Sequence, residues 1–351
     1  MNIKNIFLVI VSVMLLSPTL LFFANTNSDK DGNSENQAPL VFNKKRPFEM
    51  FDTYYKYNFA FRKMLSQQYI DLKSNLANVS SLPDKVINGK DGWYFLGNGY
   101  NNVYSESLGI QKHSEKEINA TADKIIEMKR FCDSLGIKFY FFPAPNSHTI
   151  YKEYLPVKPN NVPREFDLIK AKIQEKVDFI DARKALIAGK SQNILYYKTD
   201  THWNRLGAYI GVQEVLKAVK KDFPKTELLS MQNYNVTDTI MTQMDLTKML
   251  GIRVNEKFYD LKEKTKAETV IKYDTIDKVP NALMINNTKP YKGFMYRDSF
   301  GVSMVPLLDQ TFGSMNYFWT STFNKQRVLA DRPQFIIYEV VERNLKMVDI
   351  K

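Results

Sequence analysis

From Ser114 to the C-terminus, short apolar runs alternate with stretches whose apolar residues fall three and four apart. The first spacing suits buried strands and the second amphipathic helices. Ile118, Ala122, Ile125, Met128 and Cys132 share one face of a helix that opens at Ser114 and stops before Gly136. Ile137–Phe142 follows as a strand, closed by Pro143-Ala144-Pro145-Asn146. A helix over 163–176 carries Phe166, Ile169 and Ile173, and 177–180 makes a short strand. Ile194–Tyr197 reads as a buried strand, and Tyr209, Val212, Leu216 and Val219 place a helix over 205–221. A long irregular segment is expected up to about Lys292. Gly293–Tyr296 then forms a strand, followed by a helix with Val302, Val305, Leu308 and Phe312 as its stripe. Tyr317–Trp319 and Phe335–Tyr338 are expected to close the sheet. Strand–helix alternation of this kind predicts an α/β fold.

The N-terminal part has another pattern. After the basic start, Ile6–Phe23 gives eighteen nearly unbroken apolar residues without a clean small-residue cleavage site. The length suits an N-terminal membrane helix, so residues 1–27 are expected to be an anchor or, alternatively, a cleaved signal. Either would carry the remainder to the periplasmic or extracellular face. Residues 28–49 read as a polar linker and 50–351 as the functional domain. Within that domain, 51–76 has helical spacing, and Gly89–Gly92 supplies the turn of a hairpin.

Composition narrows the classes. The net charge is +11, but the lysines are spread over helix faces and no nucleic-acid motif is present, so nucleic acid is not an expected partner. A basic solvated surface, or attraction to an acidic glycan, accounts for the charge. The single cysteine, Cys132, excludes an intramolecular disulfide and a cysteine zinc site, and its place on a helix stripe marks it as core. His113, His148 and His202 show no metal-ligand spacing, so no metal or other cofactor is expected. His148 reads as a solvated loop residue beside a candidate site.

Candidate chemistry gathers at two junctions. Asp200 and His202 sit where the Ile194 strand gives way to a helix, and an aspartate two residues before a histidine can hold its ring and tautomer. Ser299, in Arg297-Asp298-Ser299-Phe300-Gly301, lies at a strand-to-helix turn, where a hydroxyl is displayed beside free N–H groups. A plain N-cap is the alternative for Ser299. Trp203 is either core or the wall of an acyl or sugar pocket. Asn146, Arg297 and Tyr338 lie at or next to strand ends and can donate hydrogen bonds, so with Trp203 they form the candidate substrate-binding set.

The ordered motifs resemble the alginate O-acetyltransferase AlgX/AlgJ group of the SGNH-hydrolase-like (DHHW) class. The resemblance spans roughly 50–350 and rests on Asn58–Arg62, Gly89–Trp93, Pro143–Asn146 with Tyr154-Leu155-Pro156, Asp200/His202/Trp203/Asn204, Asp245–Gly251, Arg297–Gly301 and the closing Tyr338-Glu339 and Glu342-Arg343. It implies a flavodoxin-like parallel sheet with helices on both faces. It further implies Ser299 as nucleophile, His202 as base and Asp200 as orienting acid. The implied reaction is acetyl transfer to an exported polysaccharide, with a separate membrane-bound O-acyltransferase as donor partner. Arg297 departs from the glycine that many SGNH esterases carry there. No carbohydrate-binding module follows the closing segment, so a weakly held acceptor or a partner that holds it is expected. An acetyl-esterase and a non-catalytic glycan-binding subunit remain alternatives on the same residues.

Overall fold

The central sheet has seven strands, which lie side by side in the order 178–179, 138–144, 335–341, 292–297, 314–319, 279–285 and 270–276. This computed structural model describes residues 80–265, 269–276 and 279–351, with positions 12, 13, 16 and 68. The chain divides into two units, Met1–Ser81 and Leu82–Lys351, and every element labelled below belongs to the second. Among the described residues no helix is long and apolar enough to cross a membrane. The expected membrane helix apart from positions 12, 13 and 16, the linker, and the 51–76 segment apart from position 68 lie outside the described residues.

The hairpin of β1 (Val86–Asn88) and β2 (Tyr94–Leu96) turns through Asp91 and Gly92, both at positive φ. Helix α1 (Glu115–Ser134) opens with a capping box in which Ser114 and Glu117 satisfy each other's backbone N–H. Its expected stripe is buried, Cys132 included. Strand β3 (Lys138–Ala144) leads to the short helix α2 (Ser147–Ile150), then α3 (Glu165–Ile173) and β4 (Asp178–Phe179). Helix α4 (Arg205–Asp222) is capped by Asn204.

Four sequence expectations are corrected here. The segment after α4 is not irregular. It forms a long hairpin, β5 (Tyr234–Thr242) with β6 (Asn255–Glu263), holding α5 (Asp245–Leu250) at its turn, and then β7 (Val270–Ile276) and β8 (Val279–Ile285). The sheet is therefore mixed, not wholly parallel. β4, β3, β12 (Phe335–Val341), β9 (Lys292–Arg297) and β10 (Ser314–Trp319) run parallel, and β8 and β7 add antiparallel, while β11 (Thr322–Phe323) pairs outside this sheet. Strands joined by a tight turn can pair only antiparallel. β12 does not close the sheet: it lies between β3 and β9 with all seven residues buried. Ile194–Tyr197 is not a strand of the sheet, for only Tyr196 forms a bridge, to Trp203.

Alternation sorts the sheet residues into two cores. Met295, Met315, Tyr317, Ile337 and Phe142 face α4 together with Trp203 and Phe300. Phe294, Tyr296, Phe318, Tyr338, Phe139 and Phe141 face α1 and α3. The continuous single helix expected after the serine is also absent. Two short turns, 300–303 and 305–308, take its place, with Pro306 in the second and Val302 exposed. The interior proline lacks an N–H for continuous helical bonding.

Candidate active site

The loop that carries Asp200 and His202 is shaped by a fold-back and by a carboxylate. Asn204 donates its N–H to the Leu195 carbonyl and its amide to that of Ile194, while Tyr197 N–H donates to His202 O. The run 194–197 is thus buried against its own continuation. Glu256, on β6, accepts from the N–H groups of Lys198 (2.6 Å) and Thr199 (2.9 Å) and from the Thr199 hydroxyl (2.5 Å). Sequence reading missed Glu256, because nothing in its local pattern marks a carboxylate that reaches a loop 57 residues away. Leu246 N–H donates to Thr199 O from α5.

The serine turn follows β9. The Asp298 carboxylate accepts from Phe300 N–H (2.8 Å) and Val341 N–H (2.8 Å), tying the turn to the end of β12. Asp298 N–H donates to Glu339 (3.0 Å). Burial beside Asp298 pushes the Glu339 carboxyl well above the usual carboxylate range. Gly301 keeps the turn tight, since a Cβ there would lie 2.7 Å from Arg297 Cβ and 3.0 Å from Glu339 Oε2. Trp203 donates its indole N–H to Phe300 O at 3.0 Å, coupling the histidine loop to the serine turn.

These two loops bring Ser299 into line with Asp200 and His202, which lie nearly a hundred residues earlier in the chain. His202 Nε2 lies 2.8 Å from Ser299 Oγ, and His202 Nδ1 lies 2.6 Å from Asp200 Oδ1. The same oxygen accepts the His202 backbone N–H at 3.0 Å, and Asp200 Oδ2 accepts that of Asp245 at 3.1 Å. With Nδ1–H directed at a carboxylate, Nε2 is left as the acceptor that faces the serine hydroxyl. Burial works against the Asp200 charge, but its bonds and attraction to His202, with the Asp245 and His202 N–H groups, outweigh this and lower its pKa. Asp200 is buried, whereas the His202 side chain keeps 24% of its surface and Ser299 is half-buried, so the reactive end opens outward.

A family model described as an SGNH hydrolase-like domain, acetyltransferase AlgX, matches residues 86–292, more than half of the chain. The chain belongs to this AlgX-type, SGNH-hydrolase-like family. The match includes Asp200 and His202, and Ser299 lies beyond its end. No curated protein matches in sequence. Among solved structures, Bacillus cereus PatB1 with a sulfonyl adduct is similar at 17% identity and TM-score 0.59, over 76% of this chain and 99% of that one. A second PatB1 structure gives 16% and 0.58, over 75% and 97%. The O-acetyltransferase domain of Pseudomonas putida AlgJ gives 15% and 0.49, over 76% and 94%. The likeness to PatB1 is one of fold.

Within this AlgX-type domain the expected substrate-binding residues separate. Trp203 is completely buried against Phe142, Tyr196 and Phe300, so it is core and cannot stack on a sugar. Tyr338 is likewise core: its hydroxyl donates to Ser321 O and its ring packs on Phe141 and Tyr296, on the sheet face away from α4. Arg297 turns to Trp319, with its guanidinium 4.5 Å from the ring, and donates to Asp298 O. Asn146, buried just past the end of β3, is held by two residues of the closing segment. Its N–H donates to Glu342 (2.9 Å), and Arg343 Nη1 donates to its Oδ1 (2.9 Å). That bond fixes the amide so that Nδ2 points elsewhere, where it meets no acceptor among the described residues. The Arg343 guanidinium lies 5.3 Å from the Phe300 ring, which itself lies 5.1 Å from the His202 ring. His148 is corrected: it is buried, bonded to Leu96 O at 2.9 Å, and burial lowers its pKa to about 4.

Asp200, His202 and Asp245 also bring ligand atoms within 4.8 Å of one another. Both Asp200 oxygens and His202 Nδ1 are already engaged in the bonds above, so an ion held there would break the relay. The donor set therefore suits a proton relay better than a cation.

Proposed function

We propose that the chain carries an acetyl group as an ester on Ser299 Oγ and passes it to a hydroxyl of an exported or cell-surface polysaccharide. The observation that supports this most is the unbroken line from Asp200 through His202 to Ser299, at 2.6 and 2.8 Å. A serine hydroxyl becomes a nucleophile when a base takes its proton. Ser299 Oγ attacks the donor carbonyl as its proton passes to His202 Nε2, and Asp200 holds the resulting imidazolium. His202 returns the proton to the departing donor group. In the second half, a sugar hydroxyl gives its proton to His202 and attacks the acetyl carbonyl, which forms the new ester and frees Ser299. Ser299 N–H makes no hydrogen bond among the described residues, and with Asn146 Nδ2 it supplies candidate donors for the oxyanion.

In this reading a membrane-bound O-acyltransferase delivers the acetyl group, and the apolar stretch Ile6–Phe23 tethers the domain outside the cytoplasm, near donor and polymer. Water instead of sugar as the second acceptor would make the same residues an esterase.

The test uses a serine-directed fluorophosphonate and an acetyl ester, each with the wild type and Ser299→Ala. We expect covalent labelling only in the wild type, and faster loss of the ester with formation of acetylated sugar when glycan is added. Labelling of both proteins alike would remove Ser299 as nucleophile. Ester loss without acetylated sugar, over a panel of glycans, would assign hydrolysis.

A further inference from the structure

The chain has three tryptophans, and two are core: Trp93 is 2% exposed and Trp203 0%. Trp319 is 47% exposed. One exposed aromatic is ordinary on a protein surface, but its position and its support are not. Trp319 ends β10 and is the register partner of Arg297, two residues before Ser299. With neighbouring strands about 4.8 Å apart and residues about 3.3 Å apart along a strand, its Cα lies within roughly 10 Å of that of Ser299. Alternation along β9 and β10 assigns both side chains to the face of Met295, Met315 and Tyr317, which is also the face of Phe300 and Trp203. Trp319 therefore flanks the serine turn on the side of the sheet where the histidine loop packs.

Arg297 sets the ring. Its guanidinium stacks at 4.5 Å, and Nη1 is anchored on Asp298 O at 3.2 Å. Glu339 lies near enough to act on its charge. A half-buried cation that stacks on an indole while its own position is fixed fills one face of the ring. Among the described residues no other ring or cation covers Trp319. A half-exposed indole whose recorded ring contact is one guanidinium suits a pyranose, whose axial C–H groups form an apolar face and whose hydroxyls lie at its edge.

We infer that Trp319, backed by Arg297, is a subsite that stacks a pyranose ring of the acceptor glycan beside Ser299. It rests on the transfer reading only for the word acceptor, since sugar binding is measurable without chemistry. The ring holds one sugar of the chain while another presents its hydroxyl to the acyl-serine. Arg297 is then a positioning residue, acting through the indole.

The experiment uses the full chain carrying Ser299→Ala, so that no turnover occurs. Trp319 is the tryptophan accessible to iodide or acrylamide, so quenching of emission reads it selectively. Cellopentaose, chitopentaose and a uronic-acid pentamer are titrated to millimolar concentration. At least one pentamer is expected to protect the quenchable fraction and shift its emission, with glucose showing no effect at the same molar concentration. Calorimetry with the same sugar should show Trp319→Ala weakening binding by about tenfold, roughly 1.4 kcal/mol. Trp319→Tyr should recover part of that loss, and a thermal melt close to the parent's would separate the effect from unfolding. No protection by any of the three pentamers, or equal affinity in Trp319→Ala, overturns the subsite. Failure of fluorophosphonate to label the wild type would sink the acyl-serine reading and leave this measurement intact.

Discussion

Replacing Asp200 by asparagine keeps the side-chain shape and removes one acceptor. The carboxylate serves three donors: His202 Nδ1–H (2.6 Å) and N–H (3.0 Å) on Oδ1, and Asp245 N–H (3.1 Å) on Oδ2. An amide offers one oxygen and one NH2. With its oxygen toward His202, the NH2 opposes the Asp245 N–H and leaves a buried donor unpaired, a cost of roughly 1–3 kcal/mol. With its oxygen toward Asp245, the NH2 faces His202 Nδ1, which must then accept, so the proton moves to Nε2. That tautomer cannot take the Ser299 proton. The corresponding change in a serine protease lowers kcat by about 10⁴, and each factor of ten is about 1.4 kcal/mol of barrier. We expect Asp200→Asn to lose between about 10² and 10⁴ in the rate of fluorophosphonate labelling, because part of the population keeps the first orientation. The pH dependence has a definite sign. The Asp200 pKa is lowered in the folded protein, so its stabilisation is present above the unfolded aspartate value of about 3.9 and is lost as pH falls through the lower folded value. Thermal melts between neutral pH and pH 3 should therefore show a steeper acid loss in the wild type than in Asp200→Asn. A labelling rate within about tenfold of wild type, with the fold intact, would refute the orienting role.

Two other substitutions test how the site is held and what the remote core contributes. Gly301→Ala puts a Cβ 2.7 Å from Arg297 Cβ, so the serine turn must shift. We expect a stability loss of about 1–3 kcal/mol and roughly 100-fold slower labelling, whereas wild-type labelling would show that the turn has slack. Burial raises the Asp309 pKa to about 7, against the Tyr317 hydrogen bond of 2.7 Å. A raised carboxyl stabilises fully below its unfolded value of about 3.9 and ceases to do so as pH rises through the folded value, so melts from pH 5 to 8 should show a loss in the wild type that is absent in Asp309→Asn. Parallel curves would exclude Asp309 as the source.

Much of the local structure was legible along the chain. Helix periodicity placed α1 and α4, because an amphipathic stripe records which face is buried whatever it packs against. Asp200 and His202 were legible together because they are two residues apart and share one loop. The apolar run 194–197 misled, since hydrophobicity marks burial and not pairing, and this run is buried by its own fold-back. For the same reason Tyr338 and Trp203, aromatic residues at motif positions, could be read as pocket walls when both are core. The 222–292 segment hid two hairpins because its half-exposed strands, such as β5, lack an apolar run.

By itself the sequence determined α1, α4, the histidine loop and the position of the serine turn, because propensity, periodicity and capping act over a few residues. Only the tertiary structure decided which groups meet. The order of β9, β10 and β12 carries Asp298 to Val341, Trp203 to Phe300 and Trp319 to Arg297. Glu256 reaches the histidine loop only because β6 folds back beside it. Arg343 reaches Asn146 across 197 residues because β12 and β3 end side by side. Contacts of that range depend on strand order and loop closure, which local spacing does not encode.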